Sequence, residues 1–287
     1  MKATTRFRQL LSQPGLVVAP GAYDGITARL VEQAGFSAVY MTGAGTAMAR
    51  GFPDFGLLTM NEMVENAAVT ARTVDIPLIA DADTGYGNEL NVTRTVREFE
   101  ARGVAGIHIE DQASPKRCGH LDGKEIIPAP EFISKIRAAV AARRDPDFFI
   151  IARTDSRAVA GFDEAIARAN AAMEAGADMA FVEAVQTADE LAAVPRRVKG
   201  PCLLNVVPGG KTPRISMPDA QALGYRLAIM PGLLLGAVMM AADQALRTVK
   251  GDGAPGAAPA SFSLTDTFRR FGADEWNALR QRFAAQD

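Results

Sequence analysis

Both histidines of the chain and one of its two cysteines fall in a single stretch, Ile107-His-Ile-Glu-Asp-Gln-Ala-Ser-Pro-Lys-Arg-Cys-Gly-His120. It opens as a buried strand that ends in Glu110 and Asp111, then gives way to a polar loop carrying Lys116, Arg117, Cys118 and His120. Acids at a rigid strand end, facing a thiol set between cations on a movable loop, suit a metal site combined with acid/base chemistry. Taken singly, His108 also reads as a core histidine and Cys118 as a small apolar filler. Gathered in one place they read better as chemistry.

Asp81, Asp83 and Glu110 are hard oxygen donors of the kind that hold Mg²⁺ or Mn²⁺ partly through water. Without a cluster of histidines or thiols, zinc is disfavoured. The same acids also suit helix caps or pairing with Arg153, which is itself either a bidentate clamp for a substrate carboxylate or a counter-ion to Glu183 or Asp155.

These residues need a scaffold that brings distant segments to one rim. Eight apolar runs recur along the chain, at 16–19, 38–41, 77–80, 107–109, 148–152, 179–182, 202–204 and 227–230, each followed by a polar or glycine-rich loop and an amphipathic stretch. Such interleaving predicts parallel strands with helical crossovers, closed as a (β/α)₈ barrel, with a doubly wound sheet as the alternative. The joints repeat: Gly35, Gly103, Gly176 and Gly224 each stand just past a helical pattern and shortly before a strand, where a left-handed C-cap is wanted. Thr59-Met-Asn-Glu62 and Ser216-Met-Pro-Asp219 have the spacing of helix starts. Phe7, Leu10 and Leu11 mark a leading helix ended by Gln13-Pro14-Gly15.

In a barrel the C-terminal strand ends carry the active site. Here they hold Thr42-Gly-Ala-Gly45, Asp81-Ala-Asp83, Glu110 and Asp111, Arg153-Thr-Asp155, Glu183, and Asn205 followed by Pro208-Gly-Gly-Lys211. Gly43-Ala-Gly45 and Gly85-Tyr-Gly87 lack the third glycine of a dinucleotide fingerprint, so their amides are expected to approach a carboxylate or oxyanion instead. Gly209-Gly210-Lys211 is expected to take a phosphate or a carboxylate.

The 287 residues fit one barrel, expected over 1–249 with the apolar last helix included, followed by a linker and closing helices over 250–287. With 31 basic and 33 acidic residues, no basic field for nucleic acid or anionic membrane is present, so the partners should be small molecules or other subunits. No apolar h-region opens the chain, no run reaches the length of a membrane span, and two distant cysteines make no disulfide framework; a cytoplasmic setting is expected. The segment from Gly232 is apolar around most of its circumference, which suits packing against another subunit or sealing its own barrel.

At Asp81-Ala-Asp-Thr-Gly-Tyr-Gly87, His108-Ile-Glu-Asp111, Lys116-Arg-Cys-Gly-His120, Ile151-Ala-Arg-Thr-Asp155 and Asn205 followed by Gly-Gly-Lys-Thr-Pro213, the chain resembles the isocitrate lyase and phosphoenolpyruvate mutase superfamily over nearly its full length. The resemblance implies the barrel, a last helix exchanged between subunits of a homotetramer built as a dimer of dimers, and an essential Mg²⁺ (or Mn²⁺) held by Asp81, Asp83 and Glu110. The Lys-Arg-Cys-Gly-His loop is similar to the lyase version, as in 2-methylisocitrate lyases and lyases of 2-alkylmalates; mutases of phosphoenolpyruvate lack its cysteine. It implies Cys118 as the catalytic acid; Lys116, Arg117 and a protonated His120 are expected to tune the thiol, and Tyr40 or a metal-bound water are the candidate bases. Substrate contacts are implied at Thr42, Gly43, Ala44, Asp81, His108, Gly119, Arg153, Glu183 and Asn205. Where many methylisocitrate lyases have an acidic, phenylalanine-containing stretch after the asparagine, this chain has Val206-Val-Pro-Gly-Gly-Lys211, which leaves a shorter malate-like acid open. The expected reaction is reverse aldol cleavage of a 2-hydroxy acid. Hydrolysis or decarboxylation of oxaloacetate on the same scaffold, and a non-catalytic binding barrel, are the alternatives.

Overall fold

Gly35, Gly103, Gly176 and Gly224 all sit at positive φ (87°, 81°, 100° and 103°), so each helix unwinds at the residue that tolerates the left-handed region and the chain turns into the next strand. The structure, a computed structural model, describes residues 1–256 and 263–284, so part of the expected 250–287 linker lies outside the described residues. The helix starts are also where the spacing puts them. Thr59 and Glu62 close a reciprocal capping box, and the Ser216 hydroxyl accepts from the Asp219 amide at 3.2 Å, each cap being worth about 1 kcal/mol.

The strands are β1 Val17–Ala22, β2 Val39–Met41, β3 Leu78–Asp81, β4 Gly106–Glu110, β5 Phe149–Thr154, β6 Met179–Val182, β7 Cys202–Asn205 and β8 Leu227–Met230. All pair in parallel with their sequence neighbours, and β8 returns to β1, so the sheet is a closed (β/α)₈ barrel and the doubly wound alternative falls away.

Period-two alternation divides the strand residues between two cores. Tyr40, Ile79, Ile151, Phe181, Leu203 and Ile229 fill the barrel interior, whereas Met41, Ala80, Ile107, Ile109 and Ile150 pack beneath the helices. Phe7, on the leading helix Ala3–Ser12, plugs the interior from below with no exposed surface, its ring edge-on to Phe149 at 5.1 Å. Cutting such a ring back to alanine costs about 3–5 kcal/mol.

The register aligns the functional strand ends. Asp81 stands beside His108, Glu110 beside Arg153, and Arg153 beside Phe181, so each pair shares the inward face. The chain divides into two compact units, Met1–Gly236 and Ala237–Asp287. The helix Leu233–Asp252 buries none of its residues, and Met240, Leu246 and Trp276 are each about 70% exposed. Among the described residues no helix is long and apolar enough to cross a membrane.

Candidate active site

Strands β2 to β7 carry the polar side chains of the mouth, whereas β8 meets it with Ile229. Tyr40 of β2 and His108 of β4 share a proton at 2.8 Å between the phenol oxygen and Nε2, and the Tyr40 hydroxyl reaches Asp81 Oδ2 at 3.4 Å. His108 is fully buried and its Nδ1 has no partner. Burial, with Arg153 and Lys116 nearby, brings the His108 imidazole down to about 4, so the ring is neutral at pH 7. Burial and the Asp81 charge push the Tyr40 phenol well up.

The acids are crowded. Asp81 accepts from the amides of Asp83 (3.0 Å) and Gly43 (3.2 Å). Burial raises its carboxyl, but His108, Lys116 and Arg153 together bring it below the usual carboxylate range. Glu110 has no exposed surface, and among the described residues neither of its carboxylate oxygens is hydrogen-bonded and its one ionic neighbour is Arg153 Nη1 at 3.1 Å. Burial lifts Glu110 well above its ordinary value and, with the Asp81 charge, brings Asp83 up to about 6 against the pull of Lys116. Six carboxylates, Asp54, Asp81, Asp83, Glu110, Asp155 and Glu183, face only three cations, Lys116, Lys124 and Arg153. That negative excess, with orphaned oxygens on Glu110, fits a hard divalent cation. Among the described residues no three potential ligands converge closely enough to cage an ion directly, so an ion shared by Asp81, Asp83 and Glu110 would reach part of them through water.

The loop of residues 113–125 folds down over this mouth. Gly119 comes so close that a Cβ there would stand 2.5 Å from Arg153 Nη2 and from Glu183 Cγ, and its carbonyl accepts from the buried Lys124 ammonium. His120 Nε2 lies 3.1 Å from Glu183 Oε1, and Asn205 Nδ2 donates to both Glu183 oxygens at 3.2 Å. Although burial raises it, Arg153 and these hydrogen bonds hold Glu183 at about 2. Tyr40, Asp81, Cys118, Arg153, Glu183 and Asn205 line one cavity of about 120 Å³, with Thr42, Ala44, Gly119 and His120 also on its wall. This is well under the ≈ 300 Å³ and more of sites for drug-sized ligands, and suits a short acid. The Cys118 pKa is raised, chiefly by burial, so the sulfur carries its proton at neutral pH.

Several sequence expectations need correction. Asp111 does not join the mouth: one residue past Glu110, it points outward, where Thr154 Oγ1 (2.6 Å), the Asp155 amide (2.7 Å) and Arg168 (3.1 Å) bind it. The Lys211 amide donates to His120 Nδ1 at 2.9 Å, which requires a lone pair there, so the ring is neutral rather than protonated. Arg117 stacks over Phe55 at 5.5 Å, outside the cavity, and Lys116 lies between Asp54 (2.5 Å) and Asp83 (2.7 Å) rather than at the thiol. The Gly43 amide faces Asp81 and is not free for an oxyanion. Asp54 escaped the sequence reading because nothing in Phe52-Pro-Asp-Phe-Gly56 distinguishes it from an ordinary loop acid. Phe181 was legible: it alternates with Glu183 along β6 and therefore faces inward.

A parallel barrel with an acid-rich mouth, a protonated thiol on its covering loop and a buried guanidinium defines an enzyme of small carboxylates. The family model described as phosphoenolpyruvate phosphomutase matches residues 7–250, and the chain belongs to this family, the PEP mutase/isocitrate lyase superfamily. Its relatives include the 2,3-dimethylmalate lyase of Eubacterium barkeri, 48% identical over 80% of each chain, and the 2-methylisocitrate lyase of Aeropyrum pernix, 44% identical over 86% of this chain and 79% of the other. Among solved structures, oxaloacetate acetylhydrolase in complex with 3,3-difluorooxalacetate superposes with a TM-score of 0.95 at 37% identity, covering 99% of this chain and 98% of that one. Phosphonopyruvate hydrolase in complex with oxalate and Mg²⁺ gives 0.89 at 32% identity, covering 99% of each.

Proposed function

We propose that the chain is a Mg²⁺-dependent carbon–carbon lyase acting on a 2-hydroxy di- or tricarboxylate of the 2-methylisocitrate or 2-alkylmalate type, giving pyruvate or another 2-oxo acid plus a carboxylic acid. The observation that carries this reading is a protonated Cys118 thiol lining the same cavity as Arg153, Glu183 and Asn205. Asp81, Asp83 and Glu110 would hold the ion, Mg²⁺ or Mn²⁺, which when bound polarises the 2-hydroxyl and its adjoining carboxylate. Asp54, beside Lys116, adds to the same negative field.

Tyr40 takes the hydroxyl proton, its own proton passing to His108 Nε2 at 2.8 Å. As the carbonyl forms, the carbon–carbon bond breaks and its electron pair leaves with the departing half as an enediolate. Arg153 and Asn205 stabilise that charge. Cys118 gives its proton to the carbon, and as product leaves, the proton held by His108 passes back through Tyr40 to solvent while the thiolate regains one, which restores both groups. Phe181, Val207, Ile229, Pro231 and Leu235 make an apolar wall that suits an alkyl substituent.

Cys118→Ser tests the acid role. Fold and metal binding should persist while kcat on 2-methylisocitrate, 2-methylmalate or 2,3-dimethylmalate falls about 10²–10⁴-fold, and an undiminished kcat dismisses it. Excess chelator should stop cleavage, and full activity in its presence removes the metal from the scheme.

The likeness to oxaloacetate acetylhydrolase favours a second reading, hydrolysis of oxaloacetate to oxalate plus acetate on the same residues. With oxaloacetate as substrate, oxalate marks the hydrolase and pyruvate a decarboxylase, and a lyase of 2-hydroxy acids releases neither. A binding barrel without catalysis leaves the unsatisfied Glu110 and the poised thiol unexplained. For the assembly, we propose the homotetramer with exchanged last helices, supported by the exposed apolar residues of Leu233–Asp252; the cytoplasmic setting and the 1–249 and 250–287 division are proposed from the sequence alone.

A further inference from the structure

The Gly209-Gly210-Lys211 turn, expected to bind an anion, is engaged otherwise. The Lys211 amide donates to His120 Nδ1 at 2.9 Å, and its ammonium pairs with Asp122 on the same loop. Gly210 lies directly under the His120 ring: a Cβ there would stand 2.6 Å from Nδ1 and 2.9 Å from Cε1. The ring has no room to retreat, because its far side is held 3.1 Å from Glu183 Oε1. Cys118 is tied to the same segment through the turn in which the Leu121 amide donates to its carbonyl at 2.9 Å.

We propose that the Gly210–Lys211 turn after β7 is the catch that holds the cysteine loop down, with Gly210 as the positioning residue that sets where Cys118 lies. The working parts are the backbone amide and the missing side chain. The Lys211–Asp122 pair is a minor contributor, since Asp122 is 94% exposed and exposed pairs are worth little. This role makes a glycine necessary for a reason unrelated to anion binding: the loop closes by pressing an imidazole onto bare backbone.

The test reads Cys118 alkylation by iodoacetamide in the free enzyme, which requires no turnover and so stands apart from the identity of the substrate. Buried Cys202, 1% exposed, is the internal control. Gly210→Ala should speed alkylation of Cys118 about tenfold, the population change expected for the loss of one ordinary hydrogen bond, and Lys211→Met about twofold. A wild-type rate in folded Gly210→Ala overturns the proposal. Should that variant not fold, the ¹⁵N shifts of the wild-type His120 ring decide: an Nε2–H tautomer supports the catch, and a proton on Nδ1 refutes it, because Nδ1 then cannot accept the Lys211 amide.

Discussion

Glu110 faces the barrel mouth with neither carboxylate oxygen hydrogen-bonded, whereas Asp111, one peptide further, faces the helix layer and is bound by Thr154, the Asp155 amide and Arg168. Both are fully buried acids of similar chemistry. Their surroundings differ because successive side chains of a strand point to opposite faces, and only the outer face offers a matched set of donors. The outer cluster is complete without a ligand and so supports the fold. The inner one carries more negative charge than its cations answer, an arrangement that is stable only with something else bound or with protons taken up. Burial without partners, rather than burial itself, separates the functional acids from the structural ones.

The largest effect expected from this contrast is on stability at the outer acid. Asp111→Ala takes one carboxylate from Arg168, which keeps Glu164 (2.7 Å) and the Ile127 carbonyl (2.8 Å), and leaves the buried Asp155 amide without that acceptor, so it should lower unfolding free energy by about 2–3 kcal/mol in urea titrations. A loss below about 1 kcal/mol would mean that the two acids are not as different as their bonding suggests. Glu110→Gln should do the reverse, changing stability by less than about 1 kcal/mol, or raising it, because a charge is removed from a site that has too many. Turnover should nonetheless fall more than about a hundredfold, since the ion would lose a carboxylate. Retained turnover would return Glu110 to the structural class.

The smallest effect sharpens the picture of the inner site. The buried His108 titrates near 4, below the 6.5 ordinary for histidine, so between those values the unfolded chain binds a proton that the folded one refuses. Its contribution to stability is therefore present above pH 6.5 and lost as pH falls toward 4. Replacing it with glutamine should flatten the pH dependence in that window by up to about 1.4 kcal/mol per pH unit relative to the wild type. Unfolding curves between pH 4.5 and 7 that stay parallel for the two proteins would show that His108 titrates in the folded chain as it does in the unfolded one.

Much of the scaffold was open to reading before any coordinates. Glycines at helix ends, capping pairs at helix starts and eight apolar runs are local features, and local features are written in local sequence. The same holds for the inward acids Asp81 and Glu110 and for Phe181, whose positions follow from counting by twos along a strand. Asp111 follows the same rule: one residue past Glu110, it falls on the outer face. The state of His120 is not legible locally, because the group that fixes its tautomer, the Lys211 amide, lies 91 residues away in sequence.

The kind of element at each position and the chemical types collected at the strand ends are written locally, because propensity, capping and period-two alternation act over a few residues. Only the tertiary structure decided which groups answer one another. It set Lys116 against Asp54, 62 residues apart, laid His120 on bare Gly210, and left Glu110 without a hydrogen bond. Those outcomes depend on barrel closure and on the placement of loops over it, and the balance of charge in a buried space is a property of the whole neighbourhood.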